Sequence, residues 1–100
     1  MKYRSKKQSA KNRELSKIKA KMENKCVICG NIGSDLAHLL PKSTYPEHYT
    51  EPKNLVIMCR NCHNLYDNDL NFRRKQVSLY NQICEFDIVG GAKYFRIYDN

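Results

Sequence analysis

At 100 residues with a formal net charge of +8, the chain has room for one domain at most and a small core, and a core that small commonly needs a staple. No apolar run reaches transmembrane length and no apolar stretch follows the lysine-rich start, so neither a membrane span nor a secretory leader is expected. The charge is uneven. Residues 1–25 hold ten lysines and arginines against two glutamates, whereas the other 75 residues hold eight bases and eight acids. A basic arm on a neutral domain points to a polyanion, most often nucleic acid; the plain alternative is a solvated, solubilising tail.

Residues 1–10 read as disordered or frayed. From about Asn12 to Glu23 the residues favour helix, with Leu15, Ile18 and Met22 forming a thin apolar stripe and lysines elsewhere. Residues 26–33, CVICGNIG, read as a tight turn in which Gly30 relaxes the backbone after Cys29. Residues 34–40, SDLAHLL, read as a short strand ended by Pro41. Three prolines and no apolar period make residues 41–53 a loop, with Tyr45 and Tyr49 marking it as substrate-facing. The run LVIM at 55–58 has strand character. Cys59 to about Tyr66 reads as a turn into a short helix, interrupted by residues 67–69. A longer helix is expected from Leu70 to Cys84, with Arg73, Arg74 and Lys75 on its exposed side. Gly90 and Gly91 are expected to break the chain, and the tail KYFRIYD to form an edge strand. This divides the chain into a basic arm and helix at 1–24, a stapled domain at 25–89, and a C-terminal strand or tail at 90–100.

Of five cysteines, four fall into two C-x-x-C pairs, Cys26 with Cys29 and Cys59 with Cys62. That spacing lets two thiolates from each pair reach one tetrahedral ion, and it suits structural Zn²⁺ better than a disulfide framework. A closed four-sulfur site has no open position for chemistry, so its zinc staples the fold. Free thiols also fit a reducing, intracellular setting. Cys84 is left over as a buried apolar residue.

Between the pairs lies His38, in AHLLPKS. Asn54 opens NLVIMC, and His63 closes CRNCH. Taken alone, His38 reads as a core histidine and Asn54 as a turn residue. Taken together, from Cys26 to about Asp69, the set resembles the HNH endonucleases, the ββα-metal or His-Me finger family, many of which carry such C-x-x-C pairs. The resemblance implies a small α+β fold: a ββα-metal core with a four-cysteine zinc site, flanked by an N-terminal basic helix and by a C-terminal helix plus short strand.

It also implies roles. His38 would be the general base, taking a proton from the attacking water, which a neutral imidazole suits near pH 7. Asn54 would hold the loop that aims His38. His63 would be a ligand of one catalytic divalent ion, Mg²⁺ or Mn²⁺ with other metals possible, and Asp67, four residues on and on the same helix face, a second ligand. Lys42, Arg60, Arg73, Arg74 and Lys75 are candidate phosphate contacts, giving salt-sensitive binding with little sequence preference.

One position departs from the family pattern. Many members place Asp or His directly before the general base as a metal ligand, and here it is Ala37. Either His63 and Asp67 hold the ion with water and phosphate, or Asp35 substitutes. Asp35 is three residues before His38, so a regular strand points it to the opposite face unless a bulge intervenes.

The leading expectation is therefore an HNH-type endonuclease hydrolysing DNA phosphodiester bonds, of mobile-element or phage type, in the cytoplasm of a bacterial or phage-infected cell. A homodimer would permit paired cuts. The alternatives are a non-catalytic zinc-stapled DNA-binding module of the same fold, which Ala37 motivates, and a zinc module for protein interaction.

Overall fold

A computed structural model describes residues 6–97, and the side chains of residues 10–97. Helix α1 (Lys6–Ala20) leads to a turn that carries the first thiol pair, then to strand β1 (Asp35–His38). A long connection with two 3₁₀ turns (Pro46–His48 and Pro52–Asn54) leads to strand β2 (Leu55–Met58). Four helices follow: α2 (Arg60–Asn68), α3 (Leu70–Arg74), α4 (Val77–Cys84) and α5 (Ile88–Phe95). The small α+β architecture with a two-stranded sheet fits the expected ββα core.

The sheet is one antiparallel pair, with Asp35 opposite Met58 and His38 opposite Leu55. All four residues of β2 are buried, which is why it reads as a continuous apolar run rather than an alternating one. The 26–33 turn docks on β2 through the Val27 N–H donating to the Ile57 carbonyl at 2.9 Å. Within this turn Gly30 has φ +80°, a conformation that disfavours a side chain. The core gathers Ala37, Leu39 and Leu40 from the first strand and its extension, Met58 from the second, Tyr66 from α2, and Ile83 and Phe95 from α4 and α5. Tyr66 is fully buried and its hydroxyl donates to the Leu39 carbonyl at 2.8 Å, so its polar end is satisfied. Burial pushes the Tyr66 phenol well above its ordinary pKa.

Four expectations for the flanking segments are corrected. Residues 6–10 are helical, so α1 begins earlier than Asn12 and ends at Ala20; residues 1–5 lie outside the described residues. The single helix expected over 70–84 is two. Gln76 leaves the helical region at ψ 67°, and its side-chain amide donates to the Phe72 carbonyl exposed by the break. The bend lets α4 pack on both α5 and the second 3₁₀ turn. The tail expected as an edge strand, residues 93–99, is not a strand where it is described: residues 98–99 lie outside the described residues, 96–97 are a turn, and residues 90–95 are helical. They belong to α5, capped by the Asp87 carboxylate, which accepts from the Gly90 N–H at 2.7 Å. Gly91 does not break the helix: its missing side chain lets α5 approach α4, because a Cβ there would sit 3.0 Å from Cγ2 of Ile83.

The fourth correction concerns Arg73. It is buried rather than exposed, and its guanidinium donates to the carbonyls of Tyr66 at 2.9 Å, Asp67 at 2.9 Å and Tyr94 at 3.1 Å. It also lies 3.9 Å from the Tyr94 ring centroid. The side chain satisfies carbonyls at the C-terminal end of α2, where a cation is favoured, and is not at the surface to meet a phosphate. Arg73→Lys is expected to lower stability by roughly 2–3 kcal/mol, since one ammonium cannot reach three carbonyls in a planar fork. Chemical denaturation measures this, and an unchanged midpoint would return Arg73 to the exposed set.

Candidate functional site

The two thiol pairs meet beside the sheet. The Sγ atoms of Cys26, Cys29, Cys59 and Cys62 all lie within 4.8 Å of one another, and those of Cys29 and Cys59 are 3.7 Å apart. Tetrahedral coordination with Zn–S bonds of about 2.3 Å requires sulfur–sulfur edges of about 3.8 Å. Backbone donors complete the cluster, with the Cys62 N–H reaching Cys59 Sγ at 3.4 Å. Burial raises the Cys26 thiol, but backbone N–H groups of Cys29, Cys59 and Ile28 outweigh it and bring the pKa to about 6; burial drives Cys62 the other way. The four cysteines form a zinc-binding cluster. Cys84 is half-buried and lies outside it.

A second centre opens on the far end of β1, in a cleft of about 740 Å³ lined by His38, Lys42, Tyr49, His63 and Asp67 among others. His38 closes β1. Its ring stacks on that of Tyr49, with centroids 5.2 Å apart and planes within 6°. Its Nε2 lies 3.0 Å from the Tyr49 carbonyl oxygen. A carbonyl only accepts, so Nε2 carries the proton and Nδ1 keeps a free lone pair. Burial holds the His38 pKa below the ordinary imidazole value; the Tyr49 carbonyl opposes this, and the nearby charges of Lys42 and His63 add to it. The ring is thereby kept in the form that takes a proton.

Asn54 is fully buried at the end of the second 3₁₀ turn. Its Oδ1 accepts from the Leu40 N–H at 2.8 Å, while its Nδ2 donates to the carbonyls of Leu40 and His48 at 3.2 and 3.1 Å. It thus clamps both ends of the loop whose Tyr49 carbonyl aims His38. The far side of that loop is tied down by His48, whose Nε2 lies 2.8 Å from the Asp87 carboxylate.

His63, on the first turn of α2, is held on both sides. Its Nδ1 lies 2.9 Å from Oδ2 of Asp35, and its Nε2 lies 3.3 Å from Oδ2 of Asp67. In the neutral ring Nδ1–H donates to Asp35 and Nε2 presents a lone pair toward Asp67; in the imidazolium both N–H groups donate to the flanking carboxylates. A cation bound between His63 Nε2 and Asp67 Oδ2 would take the place of the second ring proton. The Asp35 carboxyl is held below its usual value chiefly by the His63 hydrogen bond, with Arg60 adding to it against burial.

The sequence placed Asp35 on the face opposite His38, and β1 does so. That face, however, is where His63 presents Nδ1. Asp35 therefore reaches the site from behind the ring without a bulge, as the carboxylates that orient metal-binding histidines do. The signal available was an acidic residue two positions before Ala37, hence on the same strand face as the position where a ligand was expected. Arg60 joins this group: its Nε lies 3.0 Å from Asp35, although the side chain is largely exposed. Lys42 lines the cleft. Arg74 and Lys75 are exposed at the end of α3 and are not among the residues that line it.

Residues 26–70 match the HNH endonuclease family. The matched segment holds both thiol pairs, His38, Asn54, His63 and Asp67, and ends where α3 begins. The chain is also similar to a phage protein, Protein ea31 of Escherichia phage lambda, at 48% identity over 40 residues. That similarity covers 38% of this chain and 14% of the phage protein, so the chain spans a small part of the relative it matches. No solved structure matches the chain. Among the described residues, no helix is long and apolar enough to cross a membrane.

Proposed function

We propose that the protein is an HNH endonuclease that hydrolyses DNA phosphodiester bonds with His38 as general base. The observation that carries this reading is the meeting of His38, His63 and Asp67 in one cleft, with His38 aimed by the Tyr49 carbonyl and His63 held between Asp35 and Asp67. The first is prepared to take a proton from water. The second, with Asp67, offers one nitrogen and one carboxylate oxygen, a donor set that fits Mg²⁺ or Mn²⁺. Bound there, such an ion would neutralise charge on the scissile phosphate and its leaving oxygen. Asn54 keeps the loop in place, Tyr49 keeps the His38 ring in plane, and Asp35 keeps the His63 proton on Nδ1. Lys42 at the cleft, and Arg60, Arg74 and Lys75 further out, supply positive charge for the DNA backbone. The setting is the cytoplasm of a bacterial or phage-infected cell, in keeping with the phage relative.

The second reading, a zinc-stapled DNA-binding module without catalysis, is favoured by Ala37, which is fully buried and offers no ligand. Plasmid nicking separates the two. Zinc-loaded protein with added Mg²⁺ or Mn²⁺ is expected to convert supercoiled to open-circular DNA, and the same protein without the added ion is not. DNA binding with no nicking under any divalent ion would establish the second reading.

A further inference from the structure

Helix α1 meets the loop after β1 at Tyr49. The Tyr49 hydroxyl donates to Oδ1 of Asn12 at 3.1 Å. The Nζ of Lys11 lies 5.7 Å from the Tyr49 ring centroid, and that of Lys42 lies 5.5 Å from it. Where these groups converge there is a pocket of about 330 Å³ lined by Lys11, Lys42, Ser43, Pro46 and Tyr49. Among the described residues its lining has no carboxylate. Lys42, Ser43 and Tyr49 also line the cleft of His38 and His63, so the two spaces adjoin.

The charge there is unbalanced. Arg60 is paired with Asp35, and Lys53 with Glu85. Lys11 and Lys42 make no ion pair among the described residues, yet both ammonium groups are brought to one tyrosine ring from different elements. Two ammonium groups on the lining of one pocket with no carboxylate among its described residues favour an anion there. Two ammonium groups and a hydroxyl donor suit a phosphate, for which lysine serves as a point charge.

We propose that this pocket is a phosphate subsite: it takes a backbone phosphate of the nucleic-acid strand next to the one presented to His38. Lys11 and Lys42 supply the counter-charge and Ser43 a hydrogen bond. This deepens the nuclease reading and rests on it for the strand's path through the cleft. It also assigns α1 a defined place. The helix is one wall of the substrate site, anchored through Asn12, and one of its lysines contacts substrate at a fixed position rather than through diffuse attraction.

The test is fluorescence anisotropy of a labelled DNA duplex against salt concentration, on the whole zinc-loaded chain with no Mg²⁺ or Mn²⁺ added. One lost phosphate contact makes the slope of log K against log salt shallower by about 0.9, which is a loss of about fivefold at 0.15 M salt. Lys11→Gln is expected to show both changes. Lys11→Arg, which retains the charge, is expected to restore the slope. Lys19→Gln removes the same charge from the same helix at a position lining a different pocket, with Ser16 and Asn24, and is expected to leave the slope within error of the parent. Equal effects from Lys11→Gln and Lys19→Gln, or an unchanged slope for Lys11→Gln, would overturn the subsite. The nicking assay reports separately on the nuclease reading. If nicking fails while the Lys11→Gln slope change persists, catalysis falls and the subsite stands; if nicking holds while Lys11→Gln binds like the parent, the subsite alone falls.

Discussion

His38→Ala is expected to reduce Mg²⁺- or Mn²⁺-dependent nicking by at least ~10²-fold, the lower end of what a positioned general base contributes. DNA binding should change little, because His38 makes its direct contacts with Tyr49 rather than with the charged groups of the surface. The pH profile is a second, independent readout. Burial places the His38 pKa below the ordinary value of 6.5. A lowered pKa means that the neutral ring persists as pH falls through 6.5, and that activity is lost only when pH passes below the shifted value. At saturating divalent ion, the acidic limb of the rate should therefore lie below pH 6.5. A limb at or above 6.5 would mean that the ring is solvated, contrary to its packing against Tyr49. Cleavage by His38→Ala at the parental rate would remove His38 from the mechanism altogether.

Removal of zinc is expected to unfold the chain. Binding of Zn²⁺ to small four-ligand sites contributes about 10–16 kcal/mol near pH 7, which matches or exceeds the whole stability of an ordinary domain at about 5–15 kcal/mol. The ligands explain the dependence. Cys26 and Cys62 are themselves core residues, at 2% and 5% exposure. The 26–33 turn is otherwise joined to β2 by the Val27–Ile57 hydrogen bond and by the close approach of Gly33 to the Met58 backbone. Without the ion, four thiols, two of them in the core, meet with no partner equal to a metal bond. Circular dichroism during titration with a strong chelator should show loss of helix, with one zinc released per chain. Cys62→Ser should behave like the chelated protein, and Cys84→Ala should retain both fold and metal. A cooperative unfolding transition that survives full chelation would show that the apolar core suffices.

The two centres share α2 but depend on different physics. Cys59 caps the helix, Cys62 and His63 lie on its first turn, and Asp67 follows one turn on. Zinc at the first centre thereby sets the position of the second. Partial zinc loss should then lower nicking in proportion to the unfolded fraction, without altering the pH limb set by His38.

Much of this was legible in the sequence, for local reasons. A C-x-x-C turn brings two thiols together whatever surrounds it, so the zinc cluster follows from spacing. An apolar run of four residues before the second pair, and another ended by Pro41, give the two strands. His38, Asn54 and His63 keep their order because each stands at an element boundary: the end of β1, the residue before β2, and the first turn of α2. The remainder depends on contacts between elements, and local pattern does not encode those. Arg73 has the composition of a surface cation, but three unpaired carbonyls draw it inward. Gly91 reads as a helix breaker, yet it permits two helices to touch. Asp35 sits on the correct strand face, but only the docking of α2 shows that His63 waits there. The basic arm announces its charge in the first 25 residues, and only its contact with Tyr49 places Lys11 in the pocket beside the cleft. Charge and ligand identity were thus written in the sequence, whereas their reach was decided by tertiary packing, because a side chain's partner is determined by which elements the core brings within a few ångströms.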